Sequence, residues 1–231
     1  MSAAGPGEGG GAGPDGDREL LLATHNEHKR REFERLLAAG GPLSIALRTL
    51  PDDVRLPPED ADSFAGNALG KASAAARQTG AVSIADDSGI CAEALGGAPG
   101  VRSARYAGEH ASDEENLQKL LREAPTGSPL EYVCVIAYVD PAAGLERCFE
   151  GRCRGRVAAA PRGSGGFGYD PAFEPDDGPS GSTMAELGDA AKDAISHRGR
   201  AARELAAWLA GDSSRGDPPA GGPPQATGDP P

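Results

Sequence analysis

The sequence has few aromatic residues and no long apolar run. Phe, Trp and Tyr make up 4% of the 231 residues, so Leu, Ala, Val and Ile must fill most of the core. No apolar stretch approaches the roughly 20 residues that cross a bilayer, and the N-terminus has no cationic start followed by an apolar stretch. We therefore expect no signal peptide and no membrane partner.

The chain also lacks an excess of positive charge, since its formal net charge is -12. A general nucleic-acid binder needs a basic face for phosphates, so we expect no nucleic-acid partner. A small anionic ligand held by a few local cations stays compatible with this charge. The four cysteines form no CxxC pair and have no histidine at zinc-like spacing, which favours ordinary thiols and a cytoplasmic protein.

Both ends of the chain are poor in apolar residues. Residues 1–17 and 211–231 consist mostly of Gly, Ala, Pro and acidic residues. Such segments bury too little apolar surface to offset the entropy of ordering. We predict two disordered tails and one domain over residues 18–210, which is long enough for a sizeable core.

Between the tails, the apolar pattern alternates between strand and helix periods. Strands are predicted at 19–23, 43–47 and 81–85, a hairpin from 130–139 and 145–154, a loop at 163–175, and helices at 30–39, 63–79, 112–122, 185–194 and 196–210. This mixture predicts an α/β fold class with a mixed central sheet and flanking helices.

A polar segment, Thr24–Lys29, lies between a predicted strand end and a predicted helix start. Ligands of α/β sheets collect at the carboxyl ends of strands, and a helix N-terminus offers free N–H groups to phosphate. Lys29 adds a full positive charge. The alternative is an ordinary polar turn in which Asn26 caps the helix.

Two adjacent acids, Asp86 and Asp87, directly follow the apolar run 81–85. Carboxylates beside a buried strand are costly unless they bind a cation or find donors, and Mg²⁺ prefers such oxygen ligands. One of them could also accept a proton from an attacking water. The alternative is an Asx-type turn. Glu59 in a loop and Lys71 in mid-helix are weaker candidates, and the position of Lys71 alone predicts a solvated face.

Two further segments suit a flat ring and a phosphate. The glycines of 165–171 let the backbone wrap closely around a ring, on which Phe167 or Tyr169 could stack. His197 and Arg198 stand at a helix start, and arginine presents a planar fork of donors to phosphate or a ring carbonyl. A tight loop around a core aromatic residue, and a structural histidine near a helix cap, are the alternatives.

The order of these segments resembles the ITPase-like family of nucleoside-triphosphate pyrophosphatases, also called Ham1 or inosine triphosphatase proteins. The resemblance rests on Ala23–Lys29, Ala85–Gly89, Gly96–Gly108, Gly165–Pro171 and Ala194–Gly199, and it covers about residues 19–210. It implies two lobes around a substrate cleft, a homodimer, and hydrolysis of the aberrant purine nucleotides ITP, dITP and XTP to the monophosphate and pyrophosphate.

The resemblance also implies residue roles. Asp87 would be the proton acceptor and, with Glu59, would hold Mg²⁺. The implied substrate-binding residues are Thr24, His25, Asn26, Glu27, His28, Lys29, Lys71, Ser88, Phe167, Gly168, Tyr169, Asp170, Lys192, His197 and Arg198. The sequence departs from the family pattern at His25, where Gly is frequent, and around Glu59, where the match is loose. Two other functions stay open: a Maf-like pyrophosphatase for other modified nucleotides, and a non-catalytic nucleotide-binding module.

Overall fold

The chain alternates strands with helices in its first half and pairs long antiparallel strands in its second. The computed structural model describes residues 18–38 and 45–211. The strands are β1 Arg18–Leu22, β2 Ile45–Thr49, β3 Ser83–Ala92, β4 Pro129–Asp140, β5 Leu145–Val157 and β6 Phe173–Pro175. The helices are α1 Glu27–Ala38, α2 Phe64–Thr79, α3 Asp113–Glu123, α4 Asp189–Ile195 and α5 His197–Leu209. The two predicted tails lie outside the described residues, apart from Gly211.

The strands form one six-stranded sheet in the order β2-β1-β3-β4-β5-β6. Strand β1 pairs in parallel with β2 and β3, and the remaining pairs are antiparallel, which confirms the predicted mixed sheet. The chain leaves β1 toward β2 on one side and returns through α2 to β3 on the other. A crevice therefore opens where β1 ends, at the position that binds ligands in doubly wound sheets.

Strand β3 is longer than predicted, and this corrects the placement of the paired acids. Asp86 and Asp87 lie within the strand rather than after it, because β4 continues to pair with β3 as far as Ala92. Strand β1 pairs with β3 only up to Ile84. Beyond Ile84, no described strand covers that edge of β3, so the acids lie in a strand with one open edge.

Helices cover both faces of the sheet. On one face, α1 and α5 pack Phe33, Leu37 and Leu205 against the strands. On the other face, α2 contributes a strip of small residues that includes Ala68 and Ala72. Trp208 of α5 packs against Tyr138 and Phe149 and holds the last helix against the sheet.

Helix α1 begins earlier than predicted. Asn26 Oδ1 accepts hydrogen bonds from the backbone N–H groups of His28 and Lys29, at 2.9 and 3.1 Å. This cap starts the helix at Glu27 instead of Arg30 and places Lys29 in the first turn.

The last two helices also differ from the prediction. Helix α4 begins only at Asp189, after a 3₁₀ turn at Met184–Glu186. The break before α5 falls at Ser196, whose side chain accepts from the backbone of Gly199, so His197 and Arg198 lie in the first turn of α5. The predicted loop at 163–175 contains a 3₁₀ turn and the short strand β6. None of the helices within 18–38 and 45–211 is long and apolar enough to cross a membrane.

Candidate active site

A cleft opens beside the edge of β3 that β1 leaves unpaired beyond Ile84. Its wall includes twelve of the residues that the sequence singled out: Asn26, His28, Lys29, Glu59, Asp87, Ser88, Phe167, Gly168, Tyr169, Asp170, His197 and Arg198. They come from the start of α1, the loop before α2, strand β3, the glycine-rich segment and the start of α5. The fold therefore brings the four predicted segments to one place.

Asp86 and Asp87 point to opposite faces of the sheet, because side chains alternate along a strand. Asp86 faces α1 and α5, where Lys29 Nζ lies 3.0 Å and Arg198 Nε lies 3.6 Å from its Oδ2 atom. Burial would raise the pKa of Asp86, but Lys29, Arg198 and Lys71 together hold this pKa below its usual range. Asp86 is therefore ionised, and its carboxylate holds these cationic side chains in place beneath the cleft.

Asp87 faces α2 and also lines the cleft. Its Oδ2 atom accepts from Asn67 Nδ2 at 2.9 Å, and its Oδ1 atom accepts from the backbone N–H of Ser88 at 3.0 Å. Burial and the nearby charge of Glu59 raise the pKa of Asp87, against the opposing effects of Asn67, Lys71 and Lys29. A carboxylate with a raised pKa at a cleft wall is suited to accept a proton.

Lys71 is buried, so the expectation that it lies on a solvated face is wrong. Its ammonium donates to the backbone carbonyl of Asp86 at 2.5 Å and forms an ion pair with Glu59. Burial lowers the pKa of Lys71, but Asp86 and Glu59 raise it further, so the net shift is upward. Sequence position could not show this burial, because both partners come from other elements.

The acids of the cleft fit a divalent ion that keeps part of its water shell. Glu59 and Asp87 both line the cleft, and the negative charge of Glu59 disfavours ionisation of Asp87. A cation between them would relieve that repulsion. Within the described residues, no group of three or more His, Cys, Asp or Glu is arranged to hold a metal ion. The chain thus supplies a partial ligand set, and Mg²⁺ needs only one or two carboxylates when substrate phosphates and water complete its shell.

Aromatic side chains form the other end of the cleft. The Arg198 guanidinium lies 4.9 Å from the Phe167 ring centroid, and His28 lies 5.8 Å from the same ring. Tyr132 stacks on His197 with centroids 4.5 Å apart and an interplanar angle of 5°. Burial, with the charges of Arg198 and Lys192, lowers the pKa of His197 far below its usual value. This histidine is therefore neutral at pH 7.

Asp170 connects the glycine-rich segment to the helices. It accepts from Lys192 Nζ at 2.7 Å, from the backbone N–H of Phe167 at 3.1 Å and from the hydroxyl of Tyr132 at 3.1 Å. Lys192 and Tyr132 thus hold the Asp170 carboxylate, which in turn holds the backbone of the glycine-rich segment at Phe167. The hydroxyl of Tyr169 donates to the backbone carbonyl of Ser103 at 2.7 Å and holds the same segment from its other end.

Five predicted substrate-binding residues do not line the cleft: Thr24, His25, Glu27, Lys71 and Lys192. Thr24 Oγ1 accepts from the backbone of Asn26, and Glu27 pairs with Arg30, so both serve the turn before α1 and the first turn of that helix. Lys71 and Lys192 lie behind the wall, where they hold acids that do line it.

Sequence reasoning missed several residues that shape the cleft. Tyr132 was predicted only as part of a β-hairpin, and Ser103 appeared only within the motif Gly96–Gly108, yet both line the wall. Glu32 was not singled out, although its buried carboxylate accepts from Arg198 at 3.1 Å. Asn67 was not singled out either, although its amide donates to Asp87 at 2.9 Å. A polar residue on the buried side of a helix was the available signal for Glu32 and Asn67.

The fold and the cleft together define an α/β protein whose cleft wall carries both cationic and aromatic side chains. The chain belongs to the Ham1 family, whose family model matches residues 20–208. This match confirms the resemblance that the motifs indicated, and it favours that function over the Maf-like alternative.

Named relatives and solved structures agree with the family. The chain is 47% identical over 199 residues to the dITP/XTP pyrophosphatase of Frankia alni, which covers 82% of this chain and 96% of that protein. It is 46% identical over 187 residues to the dITP/XTP pyrophosphatase of Geobacter sulfurreducens, covering 79% and 92%. A HAM1 protein from Coxiella burnetii has a similar structure, with a TM-score of 0.74, 38% identity, and coverage of 84% of this chain and 99% of that chain. The predicted fold class is thus confirmed.

Proposed function

We propose that this chain is a nucleoside-triphosphate pyrophosphatase that hydrolyses ITP, dITP and XTP to the monophosphate and pyrophosphate. This reaction removes aberrant purine nucleotides from the nucleotide pool. The proposal rests on one observation in this chain of the Ham1 family: Asp87 lines the same cleft wall as Glu59 and Lys29. The names of the relatives, dITP/XTP pyrophosphatases, support the same substrates.

The triphosphate binds at the end of the cleft formed by α1 and β3. A nucleoside triphosphate carries about four negative charges, which the positive end of a helix and nearby cations stabilise. Lys29 in the first turn of α1 lies at this end of the cleft, and Asp86 holds its ammonium. Lys29 binds phosphate oxygens and stabilises the charge that develops on the leaving pyrophosphate.

Asp87 accepts the proton of the attacking water. The water oxygen bonds to the α-phosphorus, the bond between that phosphorus and the oxygen bridging to the β-phosphate breaks, and the proton passes to the Asp87 carboxylate. Glu59 and Asp87 would hold Mg²⁺, which supplies charge neutralisation at the phosphate oxygens when it is bound. Lys71 keeps Glu59 in place through its ion pair.

The aromatic end of the cleft selects the base. Phe167 stacks on the purine, and the Arg198 guanidinium close to the same ring donates to a 6-oxo group. Adenine carries an amino group at that position, which leaves the donor unpaired, and such a mismatch discriminates strongly in a dry pocket. We further propose that the protein acts as a homodimer in the cytoplasm.

A substrate panel tests this proposal. Pyrophosphate release is measured with ITP, dITP, XTP, ATP, GTP and dTTP, each with Mg²⁺ and with EDTA in its place. We expect release from the first three nucleotides, only weak release from the others, and loss of activity in EDTA. Release of orthophosphate alone, or no release from any nucleotide, would contradict the proposal.

The proton acceptor is tested by Asp87→Asn. This nearly isosteric change removes the base, so we expect kcat for ITP to fall by at least about 100-fold, the lower bound for loss of a general base. Thermal unfolding is measured in parallel. A folded variant with near-normal turnover would refute the role of Asp87.

A further inference from the structure

Asn67 is a buried amide that contacts two segments of the cleft at once. Its side chain is on α2 and is 4% exposed. Its Oδ1 atom accepts from the backbone N–H of Ala61 at 2.9 Å, and its Nδ2 atom donates to Asp87 Oδ2 at 2.9 Å. One side chain thus connects the loop before α2 to the strand that carries the acids.

These contacts fix the plane of the Asp87 carboxylate. One of its oxygens is held by Asn67 and the other by the backbone N–H of Ser88. Each carboxylate oxygen can accept a second hydrogen bond, so both donors can stay in place while the carboxylate takes a proton from the cleft. Without Asn67, only the bond from Ser88 would restrain the carboxylate.

The loop before α2 has anchors besides Asn67. Lys71, one turn further along α2, forms an ion pair with the Glu59 carboxylate. Arg105 Nη2 donates to the backbone carbonyl of Glu59. The position of Glu59 therefore does not depend on Asn67 alone, and the distinctive contact of Asn67 is the one to Asp87.

We propose that Asn67 is a positioning residue for hydrolysis, which orients the Asp87 carboxylate toward the attacking water. The inference rests on the proposed function, because it assumes that Asp87 is the proton acceptor. It assigns to Asn67 an effect on the chemical step rather than on nucleotide binding, since Asn67 does not line the cleft.

Gln78 provides a matched control on the same helix. Its side-chain amide makes the same kind of paired contact to the same loop, because Oε1 accepts from the backbone N–H of Arg55 at 3.0 Å and Nε2 donates to the Arg55 carbonyl at 2.8 Å. Gln78 lies at the far end of α2 and is more exposed, and it is not part of the cleft wall. Gln78→Ala therefore removes a loop contact without touching Asp87.

The experiment compares Asn67→Ala with Gln78→Ala in the full chain. Pyrophosphate release from ITP gives kcat, and calorimetry gives the Kd of an ITP analogue with an imido bridge between the α- and β-phosphates. For Asn67→Ala we expect kcat to fall on the order of 10- to 100-fold, as a misoriented reacting group would cause, with a change in Kd below about 3-fold. Gln78→Ala is expected to keep both values near those of the parent chain.

Asn67→Leu decides the matter if Asn67→Ala fails to fold. Leucine has nearly the same shape as asparagine, so it leaves no cavity and adds no charge, but it has no amide donor to Asp87. We expect the same loss of kcat in this variant, and thermal unfolding measured in parallel shows that the protein is folded. A folded Asn67→Leu or Asn67→Ala protein with parental kcat would overturn the inference, and so would an equal loss in Gln78→Ala. If the parent chain releases no pyrophosphate from ITP, the proposed function itself fails before any variant is compared.

Discussion

At the scale of single residues, Arg198 shows how much of the cleft rests on buried charge. Its guanidinium donates to Glu32 at 3.1 Å and to Ser88 Oγ at 2.7 Å, and it lies 3.6 Å from Asp86. Removal of one partner of a buried ion pair costs roughly 3–5 kcal/mol, because the other charge stays buried without compensation. Arg198→Ala would therefore combine loss of selectivity with loss of stability.

Arg198→Lys is the sharper test of base selection. Lysine keeps a positive charge beside Glu32 and Asp86 but lacks the planar fork of donors, so we expect the ITP-to-ATP ratio of kcat/KM to fall by about 10-fold or more. Steady-state kinetics with both nucleotides measure this ratio. Arg203→Lys is the control, because Arg203 binds the backbone carbonyls of Asp193 and Ala194 away from the cleft. An unchanged ratio in Arg198→Lys would exclude the proposed role.

At the scale of elements, the site depends on how closely α5 approaches β5. A Cβ atom at Gly151 would lie 2.1 Å from the carbonyl oxygen of His197 and 2.5 Å from the backbone N of Ala201. Only glycine therefore lets the first turn of α5 lie directly on the strand. That turn carries the histidine and the arginine of the cleft.

Gly151→Ala is expected to push the start of α5 away from the sheet. The free energy of unfolding should fall by about 1–3 kcal/mol, the usual cost of overpacking, and KM for ITP should rise because two cleft residues move with the turn. Denaturant unfolding and steady-state kinetics measure the two effects. Gly70→Ala is the control, since a Cβ there would make only an ordinary contact with Pro57, at 3.7 Å. Equal free energies of unfolding and equal KM values in Gly151→Ala and Gly70→Ala would contradict the expectation.

The sequence predicted the elements better than their ends. Periodicity located the strands and helices, and the motif order located the cleft. It could not show that β3 continues through Asp86 and Asp87, because the backbone partners of those residues lie on β4, about fifty residues later in the chain. It also could not show that Lys71 is buried, because that burial depends on acids from β3 and a loop. The local pattern of apolar and polar residues contains no information on contacts between residues so far apart in the chain.

At the scale of the whole molecule, the cleft depends on the complete fold. Asp86 collects Lys29 from α1, the Lys71 ammonium from α2 and Arg198 from α5, so helices on both faces of the sheet meet at one strand. Partial unfolding of any of these helices would leave the buried carboxylate without part of its compensation. Stability and activity should therefore both depend on the packing of these helices.

His197, in the first turn of α5, makes the free energy of unfolding depend on pH. Its pKa is lowered in the folded state and returns to about 6.5 on unfolding, so the unfolded chain binds the extra proton below that value. The free energy of unfolding should therefore fall as pH decreases from 7 to 5, with a slope of at most about 1.4 kcal/mol per pH unit from this one group. Urea unfolding at pH 7, 6 and 5 measures the slope.

A second histidine, His110, serves as the control for this slope. His197→Gln should remove most of the change in the free energy of unfolding between pH 7 and 5. His110→Gln replaces an exposed side chain and should leave that change as it is in the parent chain. An equal slope in His197→Gln and in the parent chain would show that His197 takes up its proton in the folded state.

The opposite orientation of Asp86 and Asp87 restricts how this protein can evolve. A slip of β3 by one position along β4 would turn each acid to the other face of the sheet, so that Asp86 would lose Lys29 and Arg198 and Asp87 would lose Asn67. A one-residue insertion or deletion within β3 would have the same effect. Lineages of this enzyme can therefore lengthen or shorten their surface loops, but the residue count across this strand must stay constant.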